Sequence, residues 1–299
     1  MMNESFLLYH EPVFRPPAEA DSVIVQVTLG CKWNQCRFCE MYSTKKFVVK
    51  SFETLEKEVT LLAGLHPETA RVFLGDGDIF SADKDFVVKT LQLIKKSFPN
   101  LKRISAYASS REMGKYTAEE LTEIKKAGLS LLYVGIESGD DEVLFLVKKG
   151  VTALQQINTL KQARQIGFKL SVMILNGLGG KKYSTQHAIN SALLLNEIQP
   201  ELLSLLVISF PMGQDHFRSR LDEDFHPLSQ LETLKEMRLL IQYLELNQTV
   251  FRSDHASNYL VFRGGLNRDK ERFLDQLDHI IENTVHIPRT HLRQQASFL

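Results

Sequence analysis

Val23-Ile24-Val25-Gln26-Val27-Thr28-Leu29-Gly30-Cys31-Lys32-Trp33-Asn34-Gln35-Cys36-Arg37-Phe38-Cys39 is the stretch from which fold and chemistry are both read. The β-branched run predicts a strand, Gly30 lets the chain turn sharply, and three cysteines follow within nine residues. They are the only cysteines among 299 residues. An odd, tightly spaced set is no disulfide framework, but it can grip a metal centre from three sides. On the residues alone two centres stay open. One is zinc with a fourth ligand from elsewhere; the other is a four-iron, four-sulfur cluster whose fourth iron is left for a non-protein ligand. Inert buried thiols are the bland alternative, and such thiols seldom crowd into one loop.

Outward from this stretch, strand-like apolar runs at 23–28, 71–74, 103–108, 131–136, 169–175 and 203–209 alternate with amphipathic patterns. The helical patterns lie at 52–64, 84–97, 118–127, 152–166 and 185–197, with longer ones at about 229–247 and 266–283. Near-continuous apolar strands are those of a parallel sheet covered on both faces. Gly128 and Gly167 read as helix C-caps, each directly before a strand. The order predicts an α/β chain, a partial (β/α)6 parallel barrel of TIM-barrel type with a C-terminal extension. A doubly wound open sheet is the rival, since strand order is invisible in sequence; both put ligands at the carboxyl ends of the strands. Residues 1–20 read as an arm laid over the domain, 21–247 as the barrel and 248–299 as the extension that caps it.

The chain has 36 basic and 36 acidic side chains, 43% apolar residues and 24% charged ones. A balance near zero gives no electrostatic case for nucleic acid or a membrane surface. No apolar stretch of about 18 residues occurs, and Met1-Met2-Asn3-Glu4-Ser5-Phe6 lacks the regions of a signal peptide. Clustered thiols without an export signal place the protein in a reducing cytoplasm, and a cluster would make it oxygen-sensitive.

The predicted strand ends hold the other candidates. Gly75-Asp76-Gly77-Asp78 runs off the second strand, where small residues let backbone approach a ligand and carboxylates can receive an ammonium group; a turn with solvated aspartates is the alternative. Glu137 closes an apolar run, a costly place for a carboxylate without partners, while Ser138 or Asp140 can cap the helix that follows. Asn176 is a polar contact at the end of the fifth strand, and Ser209-Phe210-Pro211-Met212-Gly213 forms a wall at the end of the sixth. Arg111 near the third strand end reads as a surface arginine ahead of a partner for a ligand carboxylate. His255, within Asp254-His255-Ala256-Ser257-Asn258, can handle a proton near neutral pH, although a lone histidine is often structural. The pairs Lys45-Lys46, Lys148-Lys149 and Lys181-Lys182 read as solvated faces.

A strand followed by Gly30-Cys31-x4-Cys36-x-Phe38-Cys39 resembles the cluster loop of the radical S-adenosylmethionine superfamily, with a first spacing of four residues rather than the commoner three. The resemblance implies that Cys31, Cys36 and Cys39 hold a 4Fe-4S cluster whose fourth iron is chelated by S-adenosyl-L-methionine, and that Phe38 lies beside the adenine. Gly75, Asp76, Gly77 and Asp78 are similar in position to the segment that holds the cofactor's amino group, with a different acid and spacing. Glu137 and Ser138 lie in Gly135-Ile136-Glu137-Ser138-Gly139, which resembles a cofactor-binding stretch of several radical enzymes, and Asn176 lies in a segment similar to the glycine-rich fifth strand end.

The implied activity is reductive cleavage of S-adenosylmethionine and hydrogen abstraction from an unidentified small molecule. His255 is the catalytic candidate, and an electron donor such as flavodoxin or ferredoxin is the implied partner. The resemblance extends to barrel proteins loosely grouped with oxygen-independent coproporphyrinogen oxidases, but no residue identifies a porphyrin. With all three thiols engaged, sulfur insertion from a second cluster and cysteine-based methyl transfer are disfavoured. The alternatives are a zinc-stabilised barrel hydrolase and an iron–sulfur electron-transfer or binding protein that leaves the cofactor intact.

Overall fold

The computed structural model describes residues 9–222 and 224–283. β1 (Val23–Gln26) is buried along its whole length, and a two-residue ribbon of β2 (Thr28–Leu29) against β3 (Val48–Val49) closes the base of the cysteine-bearing segment. There follow α1 (Phe52–Leu65), β4 (Arg71–Gly75), α2 (Lys84–Ser97), β5 (Arg103–Ala108), α3 (Ser110–Met113), α4 (Ala118–Ala127) and β6 (Leu129–Glu137). The rest of the chain forms α5 (Asp141–Leu146), α6 (Ala153–Ile166), β7 (Lys169–Asn176), α7 (Gly180–Ile198), β8 (Leu202–Val207), α8 (Gln214–Ser219), α9 (Gln230–Tyr243), β9 (Val250–Arg252), β10 (Arg263–Gly265) and α10 (Leu266–Asn283).

Among the described residues the main sheet has the order β1-β4-β5-β6-β7-β8-β9-β10. It never reverses, as a doubly wound sheet must, so the β/α-barrel reading is the one borne out. By contact density the chain divides into two compact units, with the division running through β6. The first comprises the chain up to Asn34, Cys39–Val134 and Gln162–Lys169; the second comprises Gln35–Phe38, Gly135–Lys161 and the chain from Leu170.

In the first unit, β1, β4, β5 and the start of β6 pair in parallel, with Val25 opposite Leu74 and Phe73 opposite Ser105. Consecutive residues Val72, Phe73 and Leu74 are all buried, so both faces of β4 are covered. Helix starts follow local capping chemistry: Ser51 accepts from the Thr54 amide, Asp83 from Asp85, and Thr117 forms a capping box with Glu120. Gly128 ends α4 at φ +128°, as its place in the sequence predicts. Of residues 1–20, expected as an arm, 1–8 lie outside the described residues. Glu19 is fully buried, accepting from the Tyr133 hydroxyl at 2.6 Å and pairing with Arg103 at 2.8 Å.

In the second unit, β7 and β8 pair in parallel from Ser171 opposite Leu202 to Asn176 opposite Val207. β9 adds alongside β8, and β10 returns antiparallel to β9, so residues 250–265 of the expected capping extension continue the sheet, while 284–299 lie outside the described residues. α7 starts five residues before its periodic pattern, because its first turn is held from outside: the Lys181 amide donates to the His226 carbonyl at 2.8 Å. α9 stops at Tyr243, short of the expected 247, where Lys270 Nζ donates to the Gln242 and Leu244 carbonyls, both at 2.8 Å. Among the described residues no helix is long and apolar enough to cross a membrane.

Candidate active site

The chain leaving β4 builds the seat of the first cysteine. Asp76 is fully buried and accepts from Gln26 Nε2 at 2.9 Å, the Gly30 amide at 3.1 Å and Lys45 Nζ at 2.7 Å. A carboxylate withdrawn from water is tolerable with this many donors, one of them cationic. The Gly77 amide returns a bond to the Gly30 carbonyl at 3.2 Å. Gly77 must be glycine here, since a Cβ on it would stand 2.7 Å from the Gly30 carbonyl oxygen and 3.0 Å from the Cys31 Cα. Gly75 is under no such constraint, its nearest contact being Ile24 Cγ2 at 3.7 Å.

Asp78 faces the other way. Its buried carboxylate caps the turn Ile79–Ser81 through the Phe80 amide at 2.9 Å and accepts from the Ser109 amide at 3.1 Å and from the Ser109 hydroxyl. Burial pushes its pKa up to about 7 against these hydrogen bonds. The two residues after Cys31 are held from α3 and its flank. Lys32 lies 3.5 Å from the buried Glu112, which also takes Lys115 and Arg111, and the Arg111 guanidinium sits 4.0 Å from the Trp33 ring centroid. Arg111 is therefore not a bare surface arginine.

The middle of the cysteine loop belongs to the second unit. Arg37 is buried, donating from its amide to the Val147 carbonyl at 2.9 Å and from Nη1 to the Leu146 carbonyl at 3.0 Å, and it pairs with Asp222. Arg220 donates to the Cys36 carbonyl at 3.2 Å. Phe38 packs on the apolar cluster of Val143, Leu146, Val147 and Leu178, against which Ile208 also lies. Glu137 ends β6 at φ +67°, with its carboxylate folded over Gly135, where a Cβ would fall 1.9 Å from Oε1. It pairs with Lys149 at 3.1 Å, and Lys149 Nζ is 5.6 Å from the Phe38 ring centroid.

Other expected ligands are tied into the fold. Ser138 is fully buried, its hydroxyl bonded to His187 Nδ1 at 2.8 Å and accepting from the Asp140 amide at 3.0 Å. Asn176 donates to the Thr233 carbonyl at 2.9 Å. The lysine pairs divide. Lys46, Lys148, Lys181 and Lys182 are exposed as expected, whereas the Lys45 and Lys149 side chains are only 7% and 13% exposed, each locked to a carboxylate. A solvated reading of these two is corrected by their ion pairs. Gln26 could have been flagged from sequence, being the polar residue inside an apolar run buried on both faces; Lys45 and Lys149 carry no such local signal.

Within the second unit a cavity of about 830 Å³ opens past the ends of β7 and β8, lined among others by Gly177, Ile208, Phe210, Leu228, His255 and Asn258. His255 Nδ1 lies 2.8 Å from Ser257 Oγ and accepts from the Ser257 amide at 3.2 Å.

None of the three cysteines forms a disulfide, and each is half-buried. The donor set fits a 4Fe-4S cluster, whose corner irons each take a separate thiolate. Among the described residues no three His, Cys, Asp or Glu side chains gather as the ligands of a single metal ion.

Residues 25–191 match the model of the Radical SAM superfamily. The heme chaperone HemW of Bacillus subtilis is 25% identical over 182 residues, covering 58% of this chain and 47% of that protein, so the chain spans about half the length of this curated relative. Among solved structures, coproporphyrinogen III oxidase of Escherichia coli, a radical SAM enzyme, aligns with a TM-score of 0.59 at 19% identity, over 74% of this chain and 51% of its own. Methylornithine synthase aligns with a TM-score of 0.51 at 17% identity over 91% of this chain and 85% of its own. These likenesses carry the fold.

Proposed function

This chain belongs to the radical SAM superfamily, and we propose that it cleaves S-adenosylmethionine reductively and directs hydrogen abstraction at a small molecule held in the cavity of its second unit. The family's 4Fe-4S cluster and S-adenosyl-L-methionine, when bound, supply the electron transfer and the 5′-deoxyadenosyl radical that removes the hydrogen atom.

The protein's part is to seat, orient and exclude. Cys31, Cys36 and Cys39 would hold the cluster. The observation that carries this reading is the seating of Cys31: its backbone is pressed against Gly77, and the Gly30 peptide before it is bonded at both ends, to Asp76 and to Gly77. Arg37 and Arg220 fix the Cys36–Phe38 stretch in the second unit. Glu137, held by Lys149 beside Phe38, presents acceptor oxygens suited to ribose hydroxyls or an ammonium group. Asp76 acts through Gly30 and Lys45 as a positioning residue. Phe210 and Leu228 give the cavity apolar walls that keep water from the reacting carbon. The electron would come from a reductant such as flavodoxin or ferredoxin.

Anaerobic reconstitution followed by reduction with S-adenosylmethionine tests the proposal. The expected result is a brown protein with about four irons per chain that forms 5′-deoxyadenosine, and loses that activity in Cys31→Ala, Cys36→Ala or Cys39→Ala with the fold retained. Stoichiometric zinc without iron in protein handled away from air would overturn it.

A further inference from the structure

Phe145 and Leu154 are the two most exposed large apolar side chains among the described residues, at 82% and 63%. A single exposed apolar residue is ordinary, but these two lie on one surface. Asp141 and Phe145, four residues apart, share a face of α5. Asp141 accepts from the Ala153 amide at 2.7 Å, which brings Leu154, the second residue of α6, to the same side. A partner that covers this surface recovers the free energy of its exposure.

The same helix holds the cysteine loop. The Val147 carbonyl, two residues past Phe145, accepts from the Arg37 amide at 2.9 Å, and that nitrogen is joined directly to the Cys36 carbonyl carbon. The Leu146 carbonyl takes Arg37 Nη1 at 3.0 Å. From the exposed ring to Cys36 the path is backbone and one hydrogen bond.

Cations gather at this end of α5. Arg37 pairs with Asp222, and Arg220 donates to the Cys36 carbonyl. The Arg37 hydrogen bond, with the charges of Arg37 and Lys148 behind it, holds the Asp222 carboxyl below its ordinary pKa, so Lys148 stands in the same group. Among the described residues three cations thus face one carboxylate here. Glu223, outside the described residues, would still leave them in excess if counted. Lys149 is matched by Glu137, and the acids Asp141 and Glu142 lie in the first turn of α5, at the far end from Val147.

We propose that α5 and Leu154 form the docking surface for the electron donor, an acidic flavodoxin-type carrier protein that covers Phe145 and delivers its electron towards Cys36. Its acidic face meets Lys148 and Arg220, and its apolar rim meets the Phe145 ring. The carrier is oxidised by one electron and the cluster reduced by one; no bond forms or breaks. The assignment rests on the radical reading of the cysteine site.

Flavodoxin is the probe. Its binding to the anaerobically reconstituted full chain is measured by titration calorimetry. On the same sample 5′-deoxyadenosine formation is driven either by flavodoxin with its reductase and NADPH, or by dithionite. Phe145→Ser alters an exposed side chain and is expected to weaken flavodoxin binding at least about tenfold. The flavodoxin-driven rate should fall in step at low carrier concentration, and the dithionite-driven rate should not change. Leu193→Ser, at an exposed apolar position on α7, should bind as wild type does. Lys148→Gln should lessen the salt dependence of binding.

Unchanged affinity in Phe145→Ser, an equal loss in Leu193→Ser, or no flavodoxin binding by the wild type would overturn the inference. A wild-type dimer that Phe145→Ser splits would give the surface to a second copy and overturn it too. Protein that holds no iron and makes no 5′-deoxyadenosine with dithionite, yet binds flavodoxin through Phe145, would overturn the radical reading and leave the docking surface standing. Iron and dithionite-driven 5′-deoxyadenosine with full flavodoxin affinity in Phe145→Ser would do the reverse.

Discussion

Gly77 and Gly30 approach so closely that the Gly77 amide reaches the Gly30 carbonyl at 3.2 Å and leaves no room for a side chain between them. The turn after β4 is thus moulded to the backbone of the first cysteine.

A methyl group at Gly77 should displace Cys31. Gly77→Ala is expected to lose most of its iron after reconstitution while costing about 1–3 kcal/mol of stability, as overpacking does. Gly75→Ala meets only ordinary contacts and should keep its iron. Iron per chain and the urea midpoint of both variants check this; equal iron retention would mean that the turn does not hold the loop.

Asp76 and Lys45, 2.7 Å apart with side chains 0% and 7% exposed, form a buried pair. Removing one partner strands the other charge, so Lys45→Met should cost about 3–5 kcal/mol. The double variant Asp76→Asn/Lys45→Met is expected to be more stable than Lys45→Met alone. Thermal melts of the three proteins decide it, and a double variant less stable than the single one would refute the pairing argument.

Glu137→Gln and Lys149→Met should each weaken S-adenosylmethionine binding by about tenfold or more, since a hydrogen bond to a charged group contributes roughly 1.5–3 kcal/mol. Iron content should not change. Equilibrium dialysis with the cofactor measures the effect, and unaltered affinity in both variants would return the pair to a purely structural role.

Asp78 gives stability a pH dependence of definite sign. Its folded pKa, about 7, lies above the ordinary 3.8, so the folded state binds more protons between these values. Its contribution to stability therefore falls as pH rises through that window and is level on either side. Asp78→Asn removes this term: relative to wild type, the variant should gain stability between about pH 4 and about pH 7. Urea midpoints of both proteins across that range provide the test, and parallel curves would show that Asp78 titrates as an ordinary carboxyl.

The elements of this fold are legible in the chain because they arise from local rules. Apolar runs of strand length, helical periodicity and Gly128 before β6 place six parallel strands and seven of the helices, and α2, β5, α4 and α10 have the predicted limits, while the short β2, β3, α3, α5, α8 and β10 are left unread. The cysteine spacing is equally local, and its resemblance to the superfamily's cluster loop points to the family whose model the chain matches. The functions of single polar residues were not legible in this way. Asp76 and Asp78 are two residues apart in one short motif, yet one binds Gln26, Gly30 and Lys45 while the other binds Phe80 and Ser109. Which way each carboxylate turns depends on the register of β4 between β1 and β5, a relation among residues some thirty to fifty positions apart. The same holds for Lys45 and Lys149, whose sequence neighbours Lys46 and Lys148 are exposed. A lysine becomes part of a site when a distant carboxylate is brought within ion-pair reach and the chain shuts out solvent, and only the tertiary structure decides that.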